Sequence, residues 1–351
     1  MELYFWDAAR KAISPPMDTA TSVVWSLRLG ECGTFAVELP LTMGAYKAAY
    51  TSGELLSLAT AAAYLCDRQY CGRIESVVCR DHVLRIEGRL LACLLYDRVA
   101  SADTVYTGTV GQVVRQAVTD WAGDMGLTLP TSISIGEDTV QVTLSRGTSL
   151  GKWLHALLLP YGAGYTIEMT EDDGLAFGVY VGVDRSLDSG PGVSRAIFSE
   201  DFGNIAGLET EVYRSAVLER LYVEGSDGTL VQAETTGPHS WRRESYVKAA
   251  DIRPSQFDTT AAYQAALQAR GKALLAGKQE ITRLTCMGEH AALPRYGTDY
   301  RLGDICEIQS DTLGIRCALR LTAVDVVYEG GTVKLYPFFG GTVDRVRTIL
   351  Y

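Results

Sequence analysis

No stretch of this 351-residue chain is apolar over anything near the roughly 20 residues that a bilayer-spanning helix needs. Met1 to Arg10 also lacks the charged-then-apolar build of a secretory signal, so the expectation is a protein made in the cytoplasm with no membrane anchor. Blocks of like charge are missing, which argues against a charged disordered tail. Histidine is scarce: His82, His155, His239 and His290 are the whole set, and their scatter gives no metal-ligand spacing. The phosphate-cradling pattern G-x-x-x-x-G-K-[ST] does not occur. Cysteine is present eight times but never as C-x-x-C; Cys66 and Cys71 are the nearest pair. Cys79, Cys93, Cys286, Cys306 and Cys317 lie in apolar, strand-like surroundings. The cysteines are therefore read as reduced, buried thiols acting as small hydrophobes, with no metal, redox role or cofactor.

What is there suits a folded protein of two or three domains, since 47% of the residues are hydrophobic. Lys and Arg number 32 against 42 Asp and Glu, a formal net charge of -10. Affinity for nucleic acid comes largely from neutralising phosphates, so this balance argues against sequence-specific nucleic-acid binding. An acidic channel wall past which DNA slides stays compatible with it.

Apolar and polar residues alternate over Ser22 to Leu29 and Gly33 to Leu39, with a turn at Gly30 to Gly33, which predicts a hairpin. Strands are expected at Glu54 to Leu58, Arg73 to Cys79 and Val83 to Gly88, as a meander closing into a small barrel. Between Ser101 and Gly192 the period changes. Val110, Val113, Val114, Ala117, Val118 and Trp121 recur at helical spacing behind the caps Thr107 and Thr109, and Gly126 ends that helix. Strand Val140 to Leu144 leads to a second helix carrying Leu150, Trp153, Leu154, Leu157 and Leu158, stopped by Pro160 and Gly162. Tyr165 to Met169 and Leu175 to Val181 flank the turn signal Glu171 to Gly174. β character returns from Arg195 to Val231; a helix over Thr260 to Leu275 then precedes strands at Glu280 to Cys286, Asp304 to Gln309, Ile315 to Tyr328 and Thr332 to Phe338. The predicted class is mainly β with an α/β insertion.

Self-similarity is the most informative feature. Gly53-Glu54-Leu55-Leu56-Ser57-Leu58 resembles Gly303-Asp304-Ile305-Cys306-Glu307-Ile308. Downstream, the run Ser76 to Ile86 aligns without gaps to Asp325 to Leu335, at nearly the same distance from each Gly. Two strand motifs in one order at one spacing suggest a duplicated small β-barrel.

With these residues in place, the chain resembles the tail-hub proteins of long-tailed (siphovirus-type) phages, a family related to contractile-phage baseplate hubs and to the N-terminal hub of type VI secretion spikes. Four segments carry the likeness: Gly33-Thr34-Phe35-Ala36-Val37-Glu38-Leu39-Pro40, Gly182-Val183-Asp184-Arg185-Ser186, Phe198-Ser199-Glu200-Asp201-Phe202-Gly203-Asn204-Ile205 and Tyr300-Arg301-Leu302-Gly303-Asp304-Ile305. The resemblance implies Gly33, Phe35, Pro40, Gly182, Asp184, Arg185, Ser186, Phe198, Ser199, Phe202, Asn204, Gly303 and Asp304 as structural family positions. It also implies two related small β-barrels: 1–100 with 193–233, then 235–351, with the α/β insertion 101–192 in the first. Such a subunit would form a trimeric ring that caps a hexameric tail tube, at the virion tail tip, after assembly in the host bacterial cytoplasm. Its partners would be itself as a homotrimer, the tail tube or distal tail protein, other tail-tip or baseplate proteins, and the tape measure protein. Two barrels per subunit give a trimer six similar faces for a six-fold partner.

The rival chemistry is a serine hydrolase. Gly147-Thr148-Ser149-Leu150-Gly151 matches G-x-S-x-G between a strand and a helix, with His239 and His290 downstream. An elbow of this kind tops a mostly parallel sheet of βαβ units, whereas long β-only stretches flank this motif. Ser149 is read instead as the N-cap of its helix. Ser149 and Lys152 also spell S-x-x-K, without the S-D-N and K-T-G partners that a β-lactamase requires. The acidic pairs Glu171 with Asp172 and Glu200 with Asp201 are read as solvated loops rather than glycosidase carboxyls. The chain is accordingly expected not to be an enzyme.

Overall fold

The computed structural model describes residues 1–41, 52–170, 174–214, 217–235, 242–276, 278, 281–289, 293–341 and 345–349. The first part of the chain forms β1 (Tyr4–Trp6), β2 (Ser22–Arg28), β3 (Thr34–Pro40), α1 (Ser52–Ala61), β4 (Tyr64–Cys66), β5 (Cys71–Arg80), β6 (Val83–Leu90) and the short α2 (Cys93–Tyr96). Next come β7 (Thr104–Thr109), α3 (Val110–Ala122), β8 (Leu127–Thr128), β9 (Thr139–Leu144), α4 (Leu150–Leu158), β10 (Ala163–Met169) and β11 (Leu175–Val181). The remainder comprises β12 (Ile197–Ser199), β13 (Ala206–Tyr213), β14 (Arg220–Gly225), β15 (Leu230–Glu234), β16 (Glu244–Ala249), α5 (Thr260–Ala276), β17 (Ile281–Glu289), β18 (Ile305–Ser310), β19 (Ile315–Glu329), β20 (Thr332–Gly341) and β21 (Arg345–Ile349). The protein is mainly β. Two compact units result, one from Met1–Glu209 with Thr285–Phe339 and the other from Thr210–Leu284.

The main sheet follows the path β1-β4-β5-β6-β3-β2-β19-β20-β17-β13. Alternation buries one face of it: Val23 and Trp25 on β2, Phe35, Val37 and Leu39 on β3, Leu84 and Ile86 on β6, and Val324 and Val326 on β19 are all under a tenth exposed. Within this path one strand order occurs twice. Numbering each set by its place in the chain, β5-β6-β3-β2 and β19-β20-β17-β13 both read 3-4-2-1. The β5–β6 hairpin pairs Val77 with Ile86, and the β19–β20 hairpin pairs Val326 with Leu335, which are the residues matched in the sequence repeat. Both hairpins turn on two residues of positive φ, Asp81 (50°) and His82 (66°) in one, Gly330 (57°) and Gly331 (83°) in the other. That mirror-image turn matches the twist of the strands it joins.

Three expectations need correction. Residues 54–58 form part of α1 instead of a strand, because Leu55 and Ala59, four apart, are the residues driven into the core, and that is a helical face. The first leg of the sequence repeat therefore pairs a helix with strand β18. The described strands also do not close into small barrels: β2 bonds to β19 from Ala323↔Arg28 to Glu329↔Ser22, so the two halves join edge to edge in one sheet. Finally, the cysteines are not uniformly buried thiols. Cys66 and Cys71 face each other across β4 and β5 and are joined in a disulfide, and Cys79 is exposed. Cys93, Cys306 and Cys317 are buried as expected, while the side chain of Cys286 lies outside the described residues.

Within residues 104–181 the two helices, β9 and the β10–β11 pair fall where the sequence places them, whereas β7 and β8 are additional and Thr107, expected as a cap, pairs with Gln141 inside β7. α3 and α4 pack around a shared core that includes Val113, Val114, Ala117, Leu150, Leu154, Leu158 and Tyr165. Thr109 caps α3 in a reciprocal box with Gln112, satisfying N–H groups that the helix leaves unpaired. Gly126 at φ 66° and Gly162 at φ 61° follow the two helical segments in the left-handed conformation that glycine adopts without strain. Glu171, Asp172 and Asp173 of the predicted β10–β11 turn lie outside the described residues. In the second unit β14 pairs antiparallel with β15 and parallel with β16, and α5 lays Tyr263, Leu267, Gly271 and Leu275 against that sheet.

Candidate functional site

The segment after β11 and the segment before β18 meet at a buried carboxylate. Asp304 is 3% exposed, and its two oxygens accept three donors: Val183 N at 2.7 Å, Arg185 Nε at 2.6 Å and Arg301 N at 2.9 Å. A buried charge is tolerated when its lone pairs are filled in this way by an ion partner and backbone donors. Arg185 also reaches the Ser194 carbonyl through Nη1 at 3.2 Å. The backbone reinforces the junction: Arg185 N donates to Ile305 O, Ile305 N to Val183 O, Ala196 N to Arg185 O and Glu307 N to Ala196 O. Residues 183–185, 196 and 305–307 are thus laced together, and β12 then runs parallel to β18 from Ile197↔Glu307.

Glycine makes the approach close enough. A Cβ on Gly182 would lie 1.8 Å from Gly303 O, a distance no side chain survives. Gly303 takes φ 91°, where residues with a side chain are strained. Arg320 donates to Gly303 O at 2.7 Å, and Gly182 N donates to Gly162 O at 3.0 Å, so three glycines and one guanidinium form the floor of the junction.

The remaining family positions fall into two groups. Phe198 packs edge-on to Tyr300 at 5.1 Å and against Phe339 at 5.0 Å. Asn204 accepts from Ser199 N and donates to Ile197 O and Leu293 O, closing the loop after β12. Asp184 accepts from Ser186 N, and the Ser186 hydroxyl accepts from Asp188 N, an Asx-type turn in which Ser186 is fully buried. Phe202 stands apart at 65% exposed. Gly33, Phe35 and Pro40 belong to β3 and the turn before it. The Phe35 ring lies over Gly72 and Gly88, where added Cβ atoms would sit 2.4 Å and 2.7 Å from it, and a Cβ on Gly33 would meet Ser26 O at 2.4 Å. Three of the four sequence segments therefore converge on β18, and the fourth seats an aromatic ring in the main sheet.

Ser149 is a helix cap. Its hydroxyl accepts from Lys152 N and donates to Tyr96 O at 2.7 Å, and its φ of -65° is ordinary extended backbone rather than the strained turn of a nucleophile elbow. His239 and His290 lie outside the described residues. His155, on the same helix, is 3% exposed between the rings of Tyr96 and Tyr165, and burial pulls its pKa down to about 4. Glu200 accepts from Ser310 Oγ and Thr312 N, a structural arrangement beside β18. Arg185, Arg301 and Asp304 also border a cleft of about 1360 Å³ walled by Tyr4, Trp6, Tyr165 and Tyr180. Among the described residues no three His, Cys, Asp or Glu side chains are grouped to hold a metal.

Sequence reasoning marks Gly162 only as a helix stop and Glu307 only as part of the repeat, and passes over Arg320; Glu307 is fully buried and accepts from Leu187 N at 3.2 Å. Their roles rest on contacts between distant parts of the chain, which leave no local signal.

The fold is that of phage tail proteins. A tail protein from Neisseria meningitidis MC58 superposes with a TM-score of 0.59 at 15% identity, over 97% of this chain and 96% of the other. The 43 kDa tail protein of prophage MuSo2 from Shewanella oneidensis gives 0.59 at 13% identity, over 97% and 98%. A chain of the Francisella PdpA-VgrG complex gives 0.50 at 9% identity, over 100% of this chain and 58% of that one. At the level of sequence, residues 2–341 match the family model of the Siphovirus ReqiPepy6 Gp37-like proteins, and the chain belongs to that family. No curated protein matches it.

Proposed function

We propose that this chain is the central hub subunit of a long-tailed phage tail, three copies of which form a ring that caps the hexameric tail tube. The observation that carries the reading is the strand order 3-4-2-1 occurring twice in one sheet. One subunit then offers two similar four-stranded faces and a trimer six, which meet a six-fold partner without mismatch at the contact. β4 reaches only residues 71–73 of β5, so among the described residues 76–80 are bonded on one side alone, to β6. An unpaired edge of this kind is where a neighbouring copy adds its strand, and barrel closure is then a property of the ring. The proposal keeps the division into 1–100 with 193–233, 101–192 and 235–351 except at β13 (Ala206–Tyr213), which the sequence reading gives to the first half and which is proposed here for the second, on the strand order. The ring sits at the tail tip beside the distal tail protein, other tip or baseplate proteins and the tape measure protein. The formal charge of -10 supports an acidic lumen past which DNA slides during ejection.

Mass photometry of the purified protein with its tube partner is expected to give a trimer and the trimer-capped tube. A chain that stays monomeric beside an assembled tube would sink the proposal. A serine-reactive fluorophosphonate probe is expected to leave Ser149 unlabelled.

A further inference from the structure

We infer that Phe202 and Leu293 of one copy dock on Val78 and Val83 of the next, with Asp201 of the first facing Arg80 of the second. The contact rests on the ring of three copies proposed above and names the side chains that join them. Phe202 and Leu293 are each 65% exposed, on separate segments of the chain. Asn204 ties those segments together. Its buried side chain donates to Leu293 O at 2.9 Å and to Ile197 O at 2.8 Å, and accepts from Ser199 N at 2.8 Å. The turn carrying Phe202 is closed by Gly203 N donating to Glu200 O at 2.9 Å, and the Glu200 carboxylate accepts from Ser310 Oγ at 3.0 Å. An aromatic side chain on a turn fixed in this way has little order left to lose on docking and gains the burial of its ring.

The matching surface is on the β5–β6 hairpin. Its register pairs Val78 with Arg85 and Arg80 with Val83, so these four side chains share the face opposite the buried Leu84 and Ile86. Val78 and Val83 are both exposed there. Arg85 is ion-paired with Glu38 and Glu87, whereas neither Arg80 nor Asp201 has an ion partner among the described residues. The acid beside Phe202 therefore complements the base beside the two valines. In the sheet, β3 and β2 stand between this hairpin and β19, whose far side carries β18 and β12, so the two surfaces occupy different places on one copy. A contact between two different surfaces of like copies runs head to tail, the kind that closes a ring. Val78 and Arg80 also belong to the edge of β5 that is open at 76–80, so the contact continues the strand addition proposed there.

The test uses the full chain. Phe202→Cys combined with Val83→Cys, in a Cys79→Ser background that removes the exposed thiol, is oxidised with copper phenanthroline and run without reductant beside each single variant. The double variant is expected to give covalent dimers and trimers, and each single variant none. Without oxidation, Asp201→Arg is expected to weaken the trimer at least about tenfold in mass photometry, and Asp201→Arg with Arg80→Asp to regain most of that loss. Phe202→Asp is expected to keep the parent Tm, as a change at an exposed side chain does, while losing the trimer. A trimer that forms without cross-linking, or that survives Phe202→Asp, would overturn this contact and leave the ring standing. Cross-linking of Phe202→Cys alone would overturn it too, because the same surface then meets itself. A chain that stays monomeric even with its tube partner removes the ring and the contact together.

Discussion

Arg185 Nε and Asp304 Oδ2 stand 2.6 Å apart across 119 residues of chain, with the carboxylate side chain only 4% exposed. Removing one partner leaves the other charge buried, so Asp304→Ala is expected to cost about 3–5 kcal/mol of stability. The double variant Arg185→Ala with Asp304→Ala should cost less than the sum of the single changes. Urea unfolding of the four proteins measures this coupling; strictly additive losses would remove the pair from the account of the junction.

Gly182→Ala places a methyl group where Gly303 O already lies, and is expected to destabilise by at least about 1–3 kcal/mol, the usual cost of overpacking. Gly190→Ala is the control, because its Cβ meets nothing within 4 Å. Its effect should stay within roughly 0.5 kcal/mol. Equal melting temperatures for the two variants would contradict the close approach described here.

His155 gives stability a pH dependence whose sign follows from its depressed pKa. The unfolded chain takes up this proton near pH 6.5 and the folded chain only near 4. The contribution is therefore fully present above 6.5 and is lost as pH falls through 4. About 3 kcal/mol is the scale of that loss. In His155→Phe the slope of unfolding free energy between pH 6.5 and 4 should flatten relative to the parent chain, and an unchanged slope would show the imidazole to be open to water.

Ser149→Ala removes the cap acceptor for Lys152 N and the donor to Tyr96 O. The expected loss is about 1 kcal/mol, read by chemical denaturation. A variant of unchanged stability that had lost a measurable esterase activity would restore the hydrolase reading.

Features decided within a few residues were legible in the sequence. Thr109 and Ser149 act as caps, and the hairpins at 76–86 and 325–335 turn where their polar and glycine pairs indicate, because cap and turn geometry depends on local backbone and hydrogen bonding. The run from Gly53 to Leu58 was not, since a short apolar stretch fits a buried strand or one face of a helix equally well. The family segments around Arg185, Phe198 and Asp304 could be named, but their convergence could not: Asp304 meets Val183 and Arg185 across the parallel bridge of Asp184 with Ile305, a pairing between segments more than a hundred residues apart. Cys66 and Cys71 stood out as the nearest pair, yet only the register of β4 against β5 sets them opposite each other.

The fifteen residues of β19 do two jobs in sequence. Up to Arg320 the strand bonds to β18, with β21 on Ile315 to Ala318; past a bulge at Leu321 to Ala323 it bonds to β2 and β20. The strand that carries the Asp304 junction through β18 is therefore the same one that joins the two halves of the repeat. At about 3.3 Å per residue it extends near 50 Å. The buried carboxylate and the repeat are thereby tied by one unbroken run of chain, residues 304–329, with ladder bonds on β18, β2 and β20 along its length.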